Sequence, residues 1–304
     1  MKIGIPQALL YYRYGVMWKT FFECLDSKVV ISQDTNQSIM SQGVSGSVGE
    51  CCLPVKLFLG HTASLLGGCD RILVPRFEQF DKSEEFCVRF WGLPDIVCST
   101  FPEATVLSYN LQGQKPGSEL LGFLHMGREM GRGWAETLRA YMYAREKQRL
   151  ADSSFMEEQR QVLRGSGLKV LLAVQPYIIH DSYIGAPIVR MIREQGAEPI
   201  FADRCDRMLC RGLSREISTD LYWTMNKEIL GAIPLLKGQV DGVIMITAFP
   251  CGTDSLANEL ALRRIRDIPI TQIVLDEQQG EAGLQTRIEC FLDILKERRR
   301  THAS

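Results

Sequence analysis

The run Lys169-Val170-Leu171-Leu172-Ala173-Val174, closed by Gln175-Pro176, decides the fold. It is apolar at nearly every position instead of every second one, the pattern of a strand covered on both faces. A helix is expected over 187–194, Gly196 stops it, and 198–202 reads as the next strand. The amino terminus opens the same way. Residues 2–5 form a short apolar run, Pro6 turns the chain, 9–25 is an aromatic helical stretch, and 28–32 is a second strand.

Two such units in series predict an α/β protein with two doubly wound, parallel-sheet lobes of Rossmann or flavodoxin type and a cleft between them. Residues 71–75 and 105–108 add strands to the first lobe, and 242–247 and 271–275 to the second. A polar helical stretch, 133–164, ends at the hinge Gly165-Ser166-Gly167. The expected domains are therefore an N-terminal lobe over 1–132, a helical connector over 133–166, and a C-terminal lobe over 167–304. That last lobe ends in a helix over 283–300.

Composition narrows the function. A net charge of −1 gives no field to gather nucleic acid or an anionic membrane surface. Lys296-Glu297-Arg298-Arg299-Arg300 sits where it complements the dipole of the last helix. The longest apolar runs are far too short to span a bilayer. No apolar signal segment precedes Lys2-Ile3-Gly4, so a reducing, cytoplasmic setting without disulfides is expected.

The chain holds ten cysteines. Cys24, Cys69, Cys98, Cys205, Cys210 and Cys290 are expected to pack as small apolar side chains. The others stand out. Cys52 follows Cys51 and precedes Pro54, a proline suited to the first turn of a helix. Cys87 lies in a loop beyond a strand of the first lobe. Cys251 lies between the strand over 242–247 and a helix starting near Asp254. Paired short spacings, the mark of a zinc knuckle, are absent among these three. Scattered thiols that only the fold unites point instead to an iron–sulfur cluster held between lobes. A helix start also favours the negative charge of a thiolate.

The segments Ile3-Gly4-Ile5-Pro6-Gln7, Cys52-Leu53-Pro54-Val55-Lys56, Val74-Pro75-Arg76, Phe86-Cys87, Pro250-Cys251-Gly252-Thr253-Asp254 and Gly280-Glu281-Ala282-Gly283 carry a resemblance. Together they make the chain resemble the activase-related relatives of the 2-hydroxyacyl-CoA dehydratase superfamily. That superfamily includes the benzoyl-CoA reductase and double-cubane cluster proteins. The resemblance implies a [4Fe-4S] or double-cubane cluster held by Cys52, Cys87 and Cys251, with Cys51 as the alternate to Cys52. It further implies a homodimer or related subunit, and a separate ATP-dependent activase as electron donor. Cys51 stands where the family has another residue, and Val88 stands where a proline is expected. No G-x-x-x-x-G-K-[ST] loop is present, so the nucleotide chemistry belongs to another chain.

Other residues offer less. The histidines are His61, His125, His180 and His302. His61, on the helix after Cys52, and His180, just past the first strand of the second lobe, are the catalytic candidates; a packing or capping role stands beside each. Lys56 suits either the charge of a cluster or a solvated ion pair with Glu50. Tyr11, Tyr12, Tyr14 and Trp18 read as core, and Glu277 and Glu281 as caps of the last helix. The helix start at Gly252-Thr253-Asp254 suits a phosphate of coenzyme A. Two functions lead: a reductively activated dehydratase or reductase acting on an acyl-CoA or small molecule, and a non-catalytic electron relay or accessory protein; a zinc-binding or purely structural role is the third.

Overall fold

The computed structural model describes residues 1–80, 84–113, 115, 117–278 and 280–303; for Glu281, His302 and Ala303 it describes the backbone alone. The chain forms two compact units, Met1–Asp152 with Tyr222–Thr224, and Ser153–Leu221 with Met225–Ser304.

Unit 1 begins β1 (Lys2–Ile5), α1 (Tyr11–Cys24), β2 (Lys28–Ile31), α2 (Gln37–Ser45) and α3 (Leu53–Leu65). It continues with β3 (Arg71–Leu73), β4 (Arg76–Gln79), α4 (Val88–Trp91), α5 (Leu93–Thr100), β5 (Val106–Leu107), β6 (Asn110–Gln112) and α6 (Ser118–Glu129). The sheet runs β2-β1-β3-β5 and is parallel throughout, with Lys2 opposite Lys28 and Ile72 opposite Val106. Beyond it β4 pairs with β6, also in parallel. Nothing in the residue pattern marks this second pair. It extends the β3–β5 ladder past Pro75, because Val74 N–H still donates to Leu107 and Arg76 N–H to Tyr109. Proline has no N–H, but its own position on that ladder is not a donor on this side.

The strands of unit 1 are short, and aromatic packing fills the core beside them. Phe123, fully buried, meets Phe21 edge-on at 4.7 Å between centroids, Tyr109 at 4.8 Å and Tyr141 at 5.1 Å. Trp18 Nε1–H donates to the Tyr109 hydroxyl at 3.0 Å. Of the aromatics expected in this core, Trp18 is buried, while Tyr11, Tyr12 and Tyr14 are only half-buried. Tyr14 still borders the core, stacked on buried Phe77 and next to Trp18.

The helix expected over 133–164 is α7 (Trp134–Arg164), and the chain divides inside it, at Asp152. Unit 2 continues with β7 (Leu168–Ala173), α8 (Pro176–Ile179), α9 (Ala186–Glu194), β8 (Ala197–Phe201) and α10 (Arg207–Leu213). Then come α11 (Thr224–Leu236), β9 (Gly242–Ala248), α12 (Gly252–Arg264), β10 (Ile270–Leu275) and α13 (Glu281–Ala303). The parallel sheet has the order β10-β9-β7-β8. Every residue of β7 and β9 is buried, as strands covered on both faces require. Gln159 of α7 closes the end of β8, accepting from Phe201 N–H at 2.7 Å and donating to its carbonyl at 3.0 Å. The last helix lies along α9, where Gln195 reaches Glu289 at 3.2 Å. Among the described residues no helix is long and apolar enough to cross a membrane.

Candidate functional site

Parallel sheets of this order have a switch point where neighbouring loops depart to opposite faces, and ligands gather beyond the carboxyl ends of the strands there. In unit 1 the switch lies between β1 and β3, in unit 2 between β7 and β9. Of the expected cysteines, Cys251 follows β9 beside the unit 2 switch point, Cys52 lies between α2 and α3, and Cys87 follows β4. Each is the N-cap of a helix: Cys52 of α3, Cys87 of α4 and Cys251 of α12. Each is half-buried.

The local reasons are visible in the sequence. Pro54 occupies the second helical position of α3, where its missing N–H has no intrahelical acceptor to lose. The Cys52 carbonyl accepts from Lys56 N–H at 3.1 Å, starting the helix. Val88, found where a proline was expected, still begins α4, with Cys87 O accepting from Phe90 N–H at 2.9 Å. That helix is a single turn, so its dipole is the weakest of the three. Cys251 follows the cis peptide Phe249–Pro250, and its Sγ lies 3.3 Å from Thr253 Oγ1.

Cys51 differs from its neighbour. It is 3 % exposed and lines an open cavity of about 330 Å³ with Val48, Leu59, Arg89 and Ile96. The remaining cysteines divide. Cys205 and Cys210 are buried, Cys69 is half-buried, and Cys24, Cys98 and Cys290 are exposed, against the expectation of packing. Those three sit on helix faces turned away from the core, where patterning left room for a small polar-tolerant side chain. Among the described residues no three His, Cys, Asp or Glu side chains are grouped to hold a single metal ion.

The two candidate histidines have opposite surroundings. His61 is fully buried on α3, with Nδ1 2.9 Å from Ser32 Oγ and Nε2 2.9 Å from Thr35 Oγ1. Burial, only partly opposed by Asp34, drives its pKa down to about 4, so the ring is neutral at ordinary pH. Both nitrogens are engaged, which is the packing role weighed beside catalysis. His180 is the C-cap of α8, 22 % exposed, with Nε2 2.9 Å from Asp203 Oδ2. Burial raises the Asp203 carboxyl, but His180, then Arg204 and Arg207, outweigh it and hold the group below its ordinary value.

A third cluster escaped the sequence reading. Asp254, in the first turn of α12, is 4 % exposed, and its Oδ1 accepts from Gln175 at 2.9 Å and Asn226 at 2.7 Å. Gln175 follows β7 and Asp254 follows β9, so this bond spans the unit 2 switch point. Burial raises the Asp254 carboxyl above its usual range, opposed by Gln175, Asn226 and Cys251. The available cue was position: Gln175 comes two residues after β7, and Asp254 lies in the first turn of the helix that follows β9. Lys56 is buried and Glu50 exposed, so Lys56 is not the solvated side chain that the ion-pair reading expects. Glu277 is half-buried near the start of the last helix, and the side chains of Glu281 and His302 lie outside the described residues. An open depression of about 430 Å³ between Glu216, Ile233, Lys237 and Arg264 lies toward the amino ends of β9 and β10, the edge opposite these groups.

The family described as "CoA enzyme activase uncharacterised domain" (DUF2229) matches residues 2–204. No curated protein matches the chain. Among solved structures, the SBP FpvC from Pseudomonas aeruginosa in complex with Mn2+ is similar at 10 % identity. That match covers 98 % of each chain with a TM-score of 0.30.

Proposed function

Because the chain belongs to the CoA enzyme activase uncharacterised domain family, we propose that it is an iron–sulfur redox component of a CoA-linked activase system. In this reading Cys52, Cys87 and Cys251 supply the thiolates for a [4Fe-4S] or double-cubane cluster. The supporting observation is that all three are half-buried helix N-caps, while adjacent Cys51 is buried in packing. Soft thiolates suit such a group, and the unpaired N–H groups of a first helical turn favour their negative charge. Thiolates of a cluster bind different irons, so they need not crowd together like ligands of one ion. When bound, the group supplies low-potential one-electron transfer.

The substrate is an acyl-CoA or another small molecule, and the protein works as a homodimer or beside a related subunit. A separate ATP-dependent activase delivers the electron. A second reading, an electron relay without catalysis, has one observation in its favour: His61, the histidine nearest Cys52 in sequence, has both ring nitrogens occupied.

Anaerobic reconstitution with iron and sulfide analysis tests the proposal. Cys52→Ala, Cys87→Ala and Cys251→Ala should each lose most of the bound iron, while Cys51→Ala and Cys69→Ala keep most of it. A colourless protein holding zinc tightly after reconstitution sinks the reading.

A further inference from the structure

Beyond the cysteines, the carboxyl edge of the unit 2 sheet carries a histidine and a carboxylate that no iron chemistry needs. His180 stands past the end of β7, and Asp203 lies two residues past the end of β8. These strands are hydrogen-bonded neighbours, with Leu172 opposite Phe201. The dyad is thus a product of parallel pairing: two loops leaving adjacent strands at the same edge bring residues 23 apart in sequence to 2.9 Å.

The surroundings fix the pair. Asp181, 1 % exposed, accepts from Tyr183 N–H at 2.8 Å and Ile184 N–H at 2.9 Å, locking the turn that carries His180. The imidazole leans on the Phe201 ring, 5.3 Å between centroids. Asp203 Oδ1 is buried with no partner among the described residues, so the carboxylate turns its bonded oxygen to the ring. Arg204, stacked at 4.6 Å over Phe201, and Arg207 supply positive charge around Asp203. A carboxylate is an acceptor only, so the proton of neutral His180 must lie on Nε2. Nδ1 is then a lone pair with no partner among the described residues, on a side chain that reaches solvent.

We propose that His180 is a proton-transfer group, positioned by Asp203, for a weakly acidic small molecule bound at the carboxyl edge of unit 2. In the step, the Nδ1 lone pair takes a proton from the ligand, its X–H bond breaks, and that electron pair stays on the ligand. The resulting imidazolium is stabilised by Asp203, which stays ionised throughout, and the proton passes to solvent or back to the ligand. The opposite case lies in the same chain: His61 has no free nitrogen and can do none of this. This goes beyond the cluster reading and does not depend on it.

The test uses the full chain without iron, so its failure and that of the cluster reading are separable. Long-range 1H–15N spectra at about pH 9, where imidazole is neutral, should show His180 protonated on Nε2. Diethyl pyrocarbonate, which attacks an open imidazole nitrogen, should modify His180 roughly tenfold or more faster than sealed His61, as read by peptide mass spectrometry. Asp203→Asn presents an amide donor to Nε2, moves the proton to Nδ1, and should slow His180 modification about tenfold; Asp203→Glu should restore both tautomer and rate. Wild-type protein alone can overturn the proposal, by showing the proton on Nδ1 or a His180 as unreactive as His61. An Asp203→Asn variant that keeps the wild-type tautomer and rate overturns it as well.

Discussion

Written from the same side, the two sheets have one topology, β2-β1-β3-β5 in unit 1 and β8-β7-β9-β10 in unit 2. Their chemistry differs. The first sheet has strands of two to four residues, the second strands of five to seven. Beside its short strands unit 1 buries aromatic rings, while unit 2 buries long aliphatic strands and gathers polar side chains at the carboxyl edge. The histidines sharpen the contrast. His61 is held by hydroxyls from the segment after β2, and His180 by a carboxylate from the segment after β8, the strand that corresponds to β2. Topology fixes where a polar group stands. The partner decides whether it is sealed, as by two hydroxyls, or left with a basic nitrogen, as by one carboxylate.

Breaking the helix crossings should have the largest effect, and it should be alike in both units. A Cβ on Gly60 would stand 2.0 Å from the Ile39 carbonyl oxygen, and one on Gly231 would stand 1.8 Å from that of Cys210. Backbone cannot yield as a flexible side chain does. Gly60→Ala and Gly231→Ala should therefore each cost about 3 kcal/mol or more, read as a fall in the urea midpoint. A loss of only a few tenths would mean that the helices slide apart cheaply.

Next in size is the pH dependence that belongs to unit 1. The folded-state pKa of His61 is about 4, below the ~6.5 of free imidazole, so in between the unfolded chain binds a proton that the fold refuses. The His61 contribution is complete above about pH 6.5 and falls away as pH drops toward 4, by on the order of 3 kcal/mol. His61→Gln should remove this limb, so the stability gap between wild type and variant should shrink on acidification. A gap that stays constant between those pH values would show that the ring is not held neutral.

The smallest effect concerns the polar edge of unit 2. Asn226→Ala takes one of two donors from the buried Oδ1 of Asp254 and should cost about 1–3 kcal/mol in thermal or urea unfolding. A silent substitution would mean that water replaces the amide, and that the edge of unit 2 is wetter than that of unit 1.

The α/β class, the parallel strands and the helix start at Cys52 were legible in the sequence, as was a helix after Cys251, which begins at Gly252, two residues before the expected Asp254. Each depends on neighbours a few residues away: unalternating apolar runs, Pro54 in a first turn, Gly252 after a strand. Tertiary structure alone decided the rest. The β4–β6 pair is too short to show a period, and exposed Cys24, Cys98 and Cys290 depend on which helix face meets the core. The polar pairings join residues far apart, 29 and 26 for His61 with Ser32 and Thr35, 23 for His180 with Asp203, and 79 for Gln175 with Asp254. A strand's periodicity reports that it is buried; which side chains meet beyond its end depends on the order of strands in the sheet, and no local window of sequence carries that order.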